Sequence, residues 1–146
     1  MDDIHHPDPM SRRYALLAGA FLAAQGVSTL LARTVPAIDA AVPALLAQTR
    51  MVPSHSLLHI VTAVVALVAL RRGGRPTALH FSAGFGLFYI GLALAGSASG
   101  SDLCLGLQPF DHPFHLVLGG LGLAAAATDR WRRAPRRPPP DIERIR

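Results

Sequence analysis

FSAGFGLFYIGLALAGSASGS, from Phe81 to Ser101, holds no Asp, Glu, Lys, Arg or His in twenty-one residues. About 20 apolar residues at a 1.5 Å rise make a helix long enough to cross the roughly 30 Å hydrocarbon core of a bilayer. The stretch therefore predicts a transmembrane helix, starting near Thr77 and ending near Ala98. Upstream, RRGGRP (Arg71 to Pro76) is a tight polar turn. Before it, a second apolar run covers Val52 to Leu70, with His59 its only such group from Leu57 onward. A first run covers Tyr14 to about Arg33, and downstream of the flexible GSASGSDL a fourth covers Phe110 to Thr128.

The reading that results is all-α: a polytopic membrane protein with a four-transmembrane-helix bundle at 14–33, 52–70, 77–98 and 110–128. A polar cytoplasmic lead (1–13) and an Arg/Pro-rich cytoplasmic tail (131–146) flank the 14–130 domain. Between helices one and two, Ile38, Ala41, Val42, Leu45 and Leu46 share a helical face, which predicts a short helix lying in the membrane interface. The start SRRYALL (Ser11 to Leu17) resembles a twin-arginine export signal, but three further apolar runs favour a retained helix.

Composition agrees. Of 146 residues, 51% are hydrophobic and only 16% charged, against about 25% charged in ordinary soluble domains. Net charge is +5, carried on arginines clustered beside the apolar runs. That is the pattern of a membrane protein rather than of a nucleic-acid binder. Ten arginines (Arg12, Arg13, Arg71, Arg72, Arg75, Arg130, Arg132, Arg133, Arg136 and Arg137) stand at one set of helix ends, and only Arg33 and Arg50 at the other. The bias predicts both termini in the cytoplasm of a bacterial inner membrane, with Trp131 an interfacial anchor. Cys104 is the only cysteine, so no disulfide forms within the chain.

The halves resemble each other. AGAFLAAQG (Ala18 to Gly26) aligns with AGFGLFYIG (Ala83 to Gly91), and HSLLHIV (His55 to Val61) with DHPFHLV (Asp111 to Val117). Two similar helical hairpins related by an axis along the membrane normal are expected. These residues carry a resemblance to the bacterial domain-of-unknown-function 4383 family of four-helix membrane proteins. The matching positions are His55, Ser56 and His59 in helix two, and Asp111, His112, His115, Gly119, Gly120 and Gly122 in helix four. Where that family often has Asn three residues before the histidine, this chain has Ser56 and His112. The resemblance implies a fold and no activity.

The polar chemistry concentrates in those histidines. His55 and His59 are four apart and share a helical face, and His112 and His115 nearly do. Ionisable groups at membrane depth are costly and usually face partners. Paired imidazoles at His59 and His115 suit a haem or a chlorophyll-type pigment. His55, His59, Asp111, His112 and His115 together suit a transition metal. The plainer role is hydrogen bonding between helices. His80, at the opposite end, is expected to snorkel to the interface, and Gln25 to make an interhelical hydrogen bond. Gly19, Gly91, Gly119, Gly120 and Gly122 are expected to let helices approach closely. No nucleophile elbow, phosphate loop, zinc-protease signature or Cys pair is present.

The functional expectation is a small scaffold without catalysis of its own, an accessory subunit in contact with the lipid bilayer that packs on itself or on a membrane-protein partner. A haem-, pigment- or metal-binding protein is the alternative. A small transporter or proton-coupled channel comes last, since helices one and three carry almost no ionisable groups at depth.

Overall fold

The computed structural model describes residues 8–41, 51–100 and 102–133. Met1 to Pro7 with His5 and His6, the positions Val42, Leu45, Leu46 and Arg50, and the tail from residue 134 lie outside them. All the regular structure described is helical: α1 (Met10–Thr34), α2 (Pro36–Ala41), α3 (Pro53–Arg72), α4 (Arg75–Ser99) and α5 (Asp111–Arg133).

The breaks follow local chemistry. Pro36 disfavours helical backbone at Val35, which is extended, and so ends α1. Pro53 opens α3 in the first turn, where its missing N–H has no partner to lose. The short α2 covers Ile38 and Ala41 of the segment expected to form a helix between the first two long helices. At the ends, α1 begins four residues before the expected Tyr14 and α5 runs five beyond Thr128. Charged residues at these ends extend the helices past the apolar core.

Among the described residues, three helices are long and apolar enough to cross a membrane: α1, α3 and α4. The 23-residue α5 is long enough but less apolar, because Asp111, His112 and His115 open it and Asp129, Arg130, Arg132 and Arg133 close it. Leu17, Leu57, Leu87 and Val117 point outward, while Ser11, Ser56, Ser82, Asp129 and three histidines are buried. Apolar outside and polar inside is the arrangement that suits lipid as the surrounding solvent.

α1 packs chiefly on α3 and α4 on α5, with α1 also touching α4 and α5. α4 and α5 approach closely where a Cβ on Gly86 or on Gly119 would lie 2.7 Å from the other's carbonyl oxygen. Gly19 abuts Ala66, and Gly122 abuts Tyr14 and Ser82. Gly91 and Gly120, expected at helix contacts, instead have open space where a Cβ would go. Each helix has one face toward its partner, and these two residues fall off it.

The arginine-bearing ends are tied by one carboxylate. Asp129, 5% exposed, accepts hydrogen bonds from the Met10 and Ser11 N–H groups at 2.9 and 2.8 Å. It thereby satisfies amides that an α-helix start otherwise leaves orphaned. Burial pulls its pKa up, but the hydrogen bonds from Ser11 and Met10, with Arg133 nearby, outweigh that and hold it below the ordinary carboxylate value. The Ser82 hydroxyl donates to the Ser11 carbonyl at 3.1 Å, and the Tyr14 hydroxyl to the Leu118 carbonyl at 2.7 Å. The core between is Ala18, Leu22, Ala63, Phe85 and Tyr89.

Candidate metal centre

Near the end opposite Asp129, α3 and α5 face each other diagonally, and three imidazoles fill the space between them. His55 and His59 stand one turn apart on α3, so their rings share one face and meet edge to face at a 4.7 Å centroid distance. His115, in the second turn of α5, reaches across to 5.5 Å from the His55 ring and 6.1 Å from the His59 ring. Tyr89 of α4 closes one side, with its ring 5.0 Å from His115 and 6.3 Å from His59. From α1, Gly26 lets the backbone come against the Ser56 carbonyl and the His59 Cβ.

The three histidines are buried, at 1%, 1% and 0% exposure. His55, although it lies in the first turn of α3, is enclosed. The reason lies in the loop between α4 and α5. Gly106, at φ +60°, lies so close to Val52 that a Cβ would be 2.6 Å from its Cγ1. The Ser54 hydroxyl donates to the Cys104 carbonyl at 2.9 Å. This loop folds over the start of α3 and covers the histidine end.

Among the described residues, none of the six ring nitrogens of His55, His59 and His115 has a hydrogen-bond partner. A buried imidazole carries one donor and one acceptor, or two donors, and leaving them unmade is expensive. One nitrogen from each ring falls in a group lying within 4.8 Å of one another. A tetrahedral ion with bonds of about 2.0 Å holds its nitrogens about 3.3 Å apart, so closure requires ring movements on the order of 1 Å.

The other expected ligands sit differently. Asp111 Oδ2 lies 4.0 Å from His55 Nδ1, outside the triad but beside it. The Gln108 N–H donates to the same carboxylate oxygen at 2.7 Å and holds it in place. His112 turns away: its ring packs on α4 at Gly96, where a Cβ would meet its Cε1 at 2.6 Å. The spacing of 112 and 115 differs by 60° from a full turn, enough to send the two rings toward different helices. Gln25 Oε1 is buried with no partner among the described residues, contrary to the expected interhelical bond. His80 is exposed at the other end, apart from the triad. Tyr89 was missed as part of the site because an aromatic in an apolar run carries no distinguishing signal.

Searches against protein-family models, curated proteins and solved structures find no match to this chain.

Proposed function

We propose that this chain is an integral membrane protein that binds a transition-metal ion through His55, His59 and His115. One observation carries the reading: three fully buried imidazoles from two helices converge, and none of their nitrogens is hydrogen-bonded within the described residues. A packing role predicts the opposite, since structural histidines are retained for the hydrogen bonds they make. An all-imidazole set suits Zn, Cu, Fe or Ni, and His-x-x-x-His on one helix face with a third His from another element is a recurrent chelating arrangement. Asp111 Oδ2, 4.0 Å from His55 Nδ1, would accept its N–H after an approach of about 1 Å and leave Nε2 for the metal, as carboxylates beside metal-bound histidines commonly do.

The rings pack against one another and Tyr89, which favours a bare ion over a haem or chlorophyll-type macrocycle inserted between His59 and His115. The accessory-scaffold reading draws on small-residue helix faces, yet Gly19, Gly86, Gly119 and Gly122 pack within the chain.

The same reading includes α5 as a fourth span. It packs along α4, itself apolar enough to cross, and turns Val117 and Leu121 outward, as α4 does Leu87 and Leu94. The order α1, α3, α4, α5 then forms two antiparallel pairs, in keeping with the internal repeat and the four-helix family it resembles. The arginine bias supports a cytoplasmic Asp129 end, with the metal toward the outer face of a bacterial inner membrane.

The test is metal content of detergent-purified protein, with Co(II) reconstitution as a spectroscopic reporter. One ion per chain, tetrahedral Co(II) absorption, and loss of both in His59→Ala support the reading. Substoichiometric metal with unchanged affinity in His59→Ala overturns it.

A further inference from the structure

A second site lies at the other end of the molecule and is independent of the metal. Between α1 and α3 runs an outward-facing apolar groove of about 270 Å³. Its floor is Gly19, Ala23, Ala63 and Ala66, small enough that a Cβ on Gly19 would lie 3.0 Å from that of Ala66. Leu16, Leu67 and Leu70 wall its upper part. The same three leucines also line an adjoining pocket of about 190 Å³ whose other residues are Asp8, Arg12, Arg13 and Arg71. Groove and basic pocket are thus continuous: one long apolar slot with a cationic mouth.

The dimensions select the occupant. From Ile60 to Leu70 the groove covers eleven residues of α3, ten steps of about 1.5 Å or about 15 Å along the helix. That is about half of the roughly 30 Å hydrocarbon core, or one leaflet. A neighbouring transmembrane helix would need a face running the full span, whereas an acyl chain needs one leaflet's depth. The mouth lies where that chain's headgroup would sit. Arg12 is engaged with Asp8 at 3.8 Å. Arg13 and Arg71 have no ion-pair partner among the described residues. We propose that α1 and α3 form a binding site for an anionic glycerophospholipid, with its acyl chain in the groove and its phosphate between Arg13 and Arg71. Basic pockets between transmembrane helices at the arginine-rich face are suited to anionic headgroups.

Native mass spectrometry of the full chain in detergent tests this, with phosphatidylglycerol, phosphatidylcholine of the same chains, and inorganic phosphate as probes. Wild type should bind phosphatidylglycerol in preference to phosphatidylcholine and show no saturable phosphate binding. At about five-fold per arginine, Arg13→Gln with Arg71→Gln should weaken phosphatidylglycerol about 25-fold and phosphatidylcholine, whose phosphate is offset by its own choline, much less. Ala20→Leu, at an exposed position lining the groove, should weaken both lipids. Equal binding of the two lipids by wild type overturns the proposal and needs no variant to fold. So does phosphate binding as tight as that of the lipid. A change of oligomeric state in Ala20→Leu with lipid binding intact would assign the groove to a second copy of the chain and also overturn it.

Discussion

Replacing His115 with leucine separates a metal centre from a packing histidine by the sign of the effect. The side chain is fully buried, and neither of its nitrogens is paired within the described residues. In metal-free protein those groups are a liability: an unsatisfied buried polar group costs about 1–3 kcal/mol. Leucine removes that cost, and a shape mismatch in the core returns less than about 1.5 kcal/mol. Metal-free His115→Leu should therefore be as stable as wild type or more so, by up to about 2 kcal/mol. At about 3 °C per kcal/mol for a chain of this size, that is an increase of up to about 6 °C in Tm. Metal reverses the order. Zinc at 100 times its Kd stabilises a folded site by about 2.7 kcal/mol, so wild type should gain about 8 °C and the variant none. Thermal unfolding in detergent, followed by circular dichroism with chelator and then with zinc, reads both arms. If the variant unfolds at lower temperature in chelator, and zinc leaves wild type unmoved, His115 is an ordinary hydrogen-bonded core residue and the metal reading fails.

Three further predictions rest on separate contacts. Asp111→Asn should weaken metal binding about 10- to 100-fold by loosening the orientation of His55, whereas His112→Ala, whose ring packs on Gly96, should leave it unchanged; zinc titration of both variants checks the pair. Gly119→Ala forces a methyl to 2.7 Å from a backbone oxygen and should cost about 1–3 kcal/mol, while Gly120→Ala meets open space and should be neutral or stabilise by up to about 1 kcal/mol; equal losses in chemical unfolding would contradict the packing described. Asp129 has a folded pKa below its unfolded value of about 3.9, so its contribution is complete above that value and is lost as pH falls through the folded pKa. Wild type should therefore lose stability below about pH 4 relative to Asp129→Asn, and the variant should be weaker at neutral pH by about 1.5–3 kcal/mol for the charged hydrogen bonds to Met10 and Ser11; parallel pH profiles would refute it.

The helices were legible because their signal is local. Phe81 to Ser101 without a charge, the proline starts of α3 and α4, and arginines at helix ends are each readable from neighbours along the chain. The candidate site was half legible. His55, His59 and His115 stood out by residue type and spacing, since His-x-x-x-His has one structural meaning on a helix. What spacing could not say is which way α5 is rotated about its own axis. That rotation is set by the Gly86 and Gly119 contact and by Tyr14 on Leu118, residues far apart in sequence. It turns His115 into the bundle and His112 out toward Gly96. The same cause misplaced Gly91 and Gly120, small residues whose azimuth no one-dimensional pattern reveals.

Composition and hydropathy by themselves determined that this chain is helical and apolar enough for a membrane, because a bilayer demands about 20 apolar residues per span and internally satisfied backbone bonds. Tertiary structure alone decided the rest: that three imidazoles, and not five candidate ligands, meet; that a loop closes over them; that Asp129 caps a helix 119 residues away; and that an arginine-mouthed groove lies between α1 and α3. Each of these depends on how helices rotate and pair, and that choice is made by side-chain contacts between segments distant in sequence.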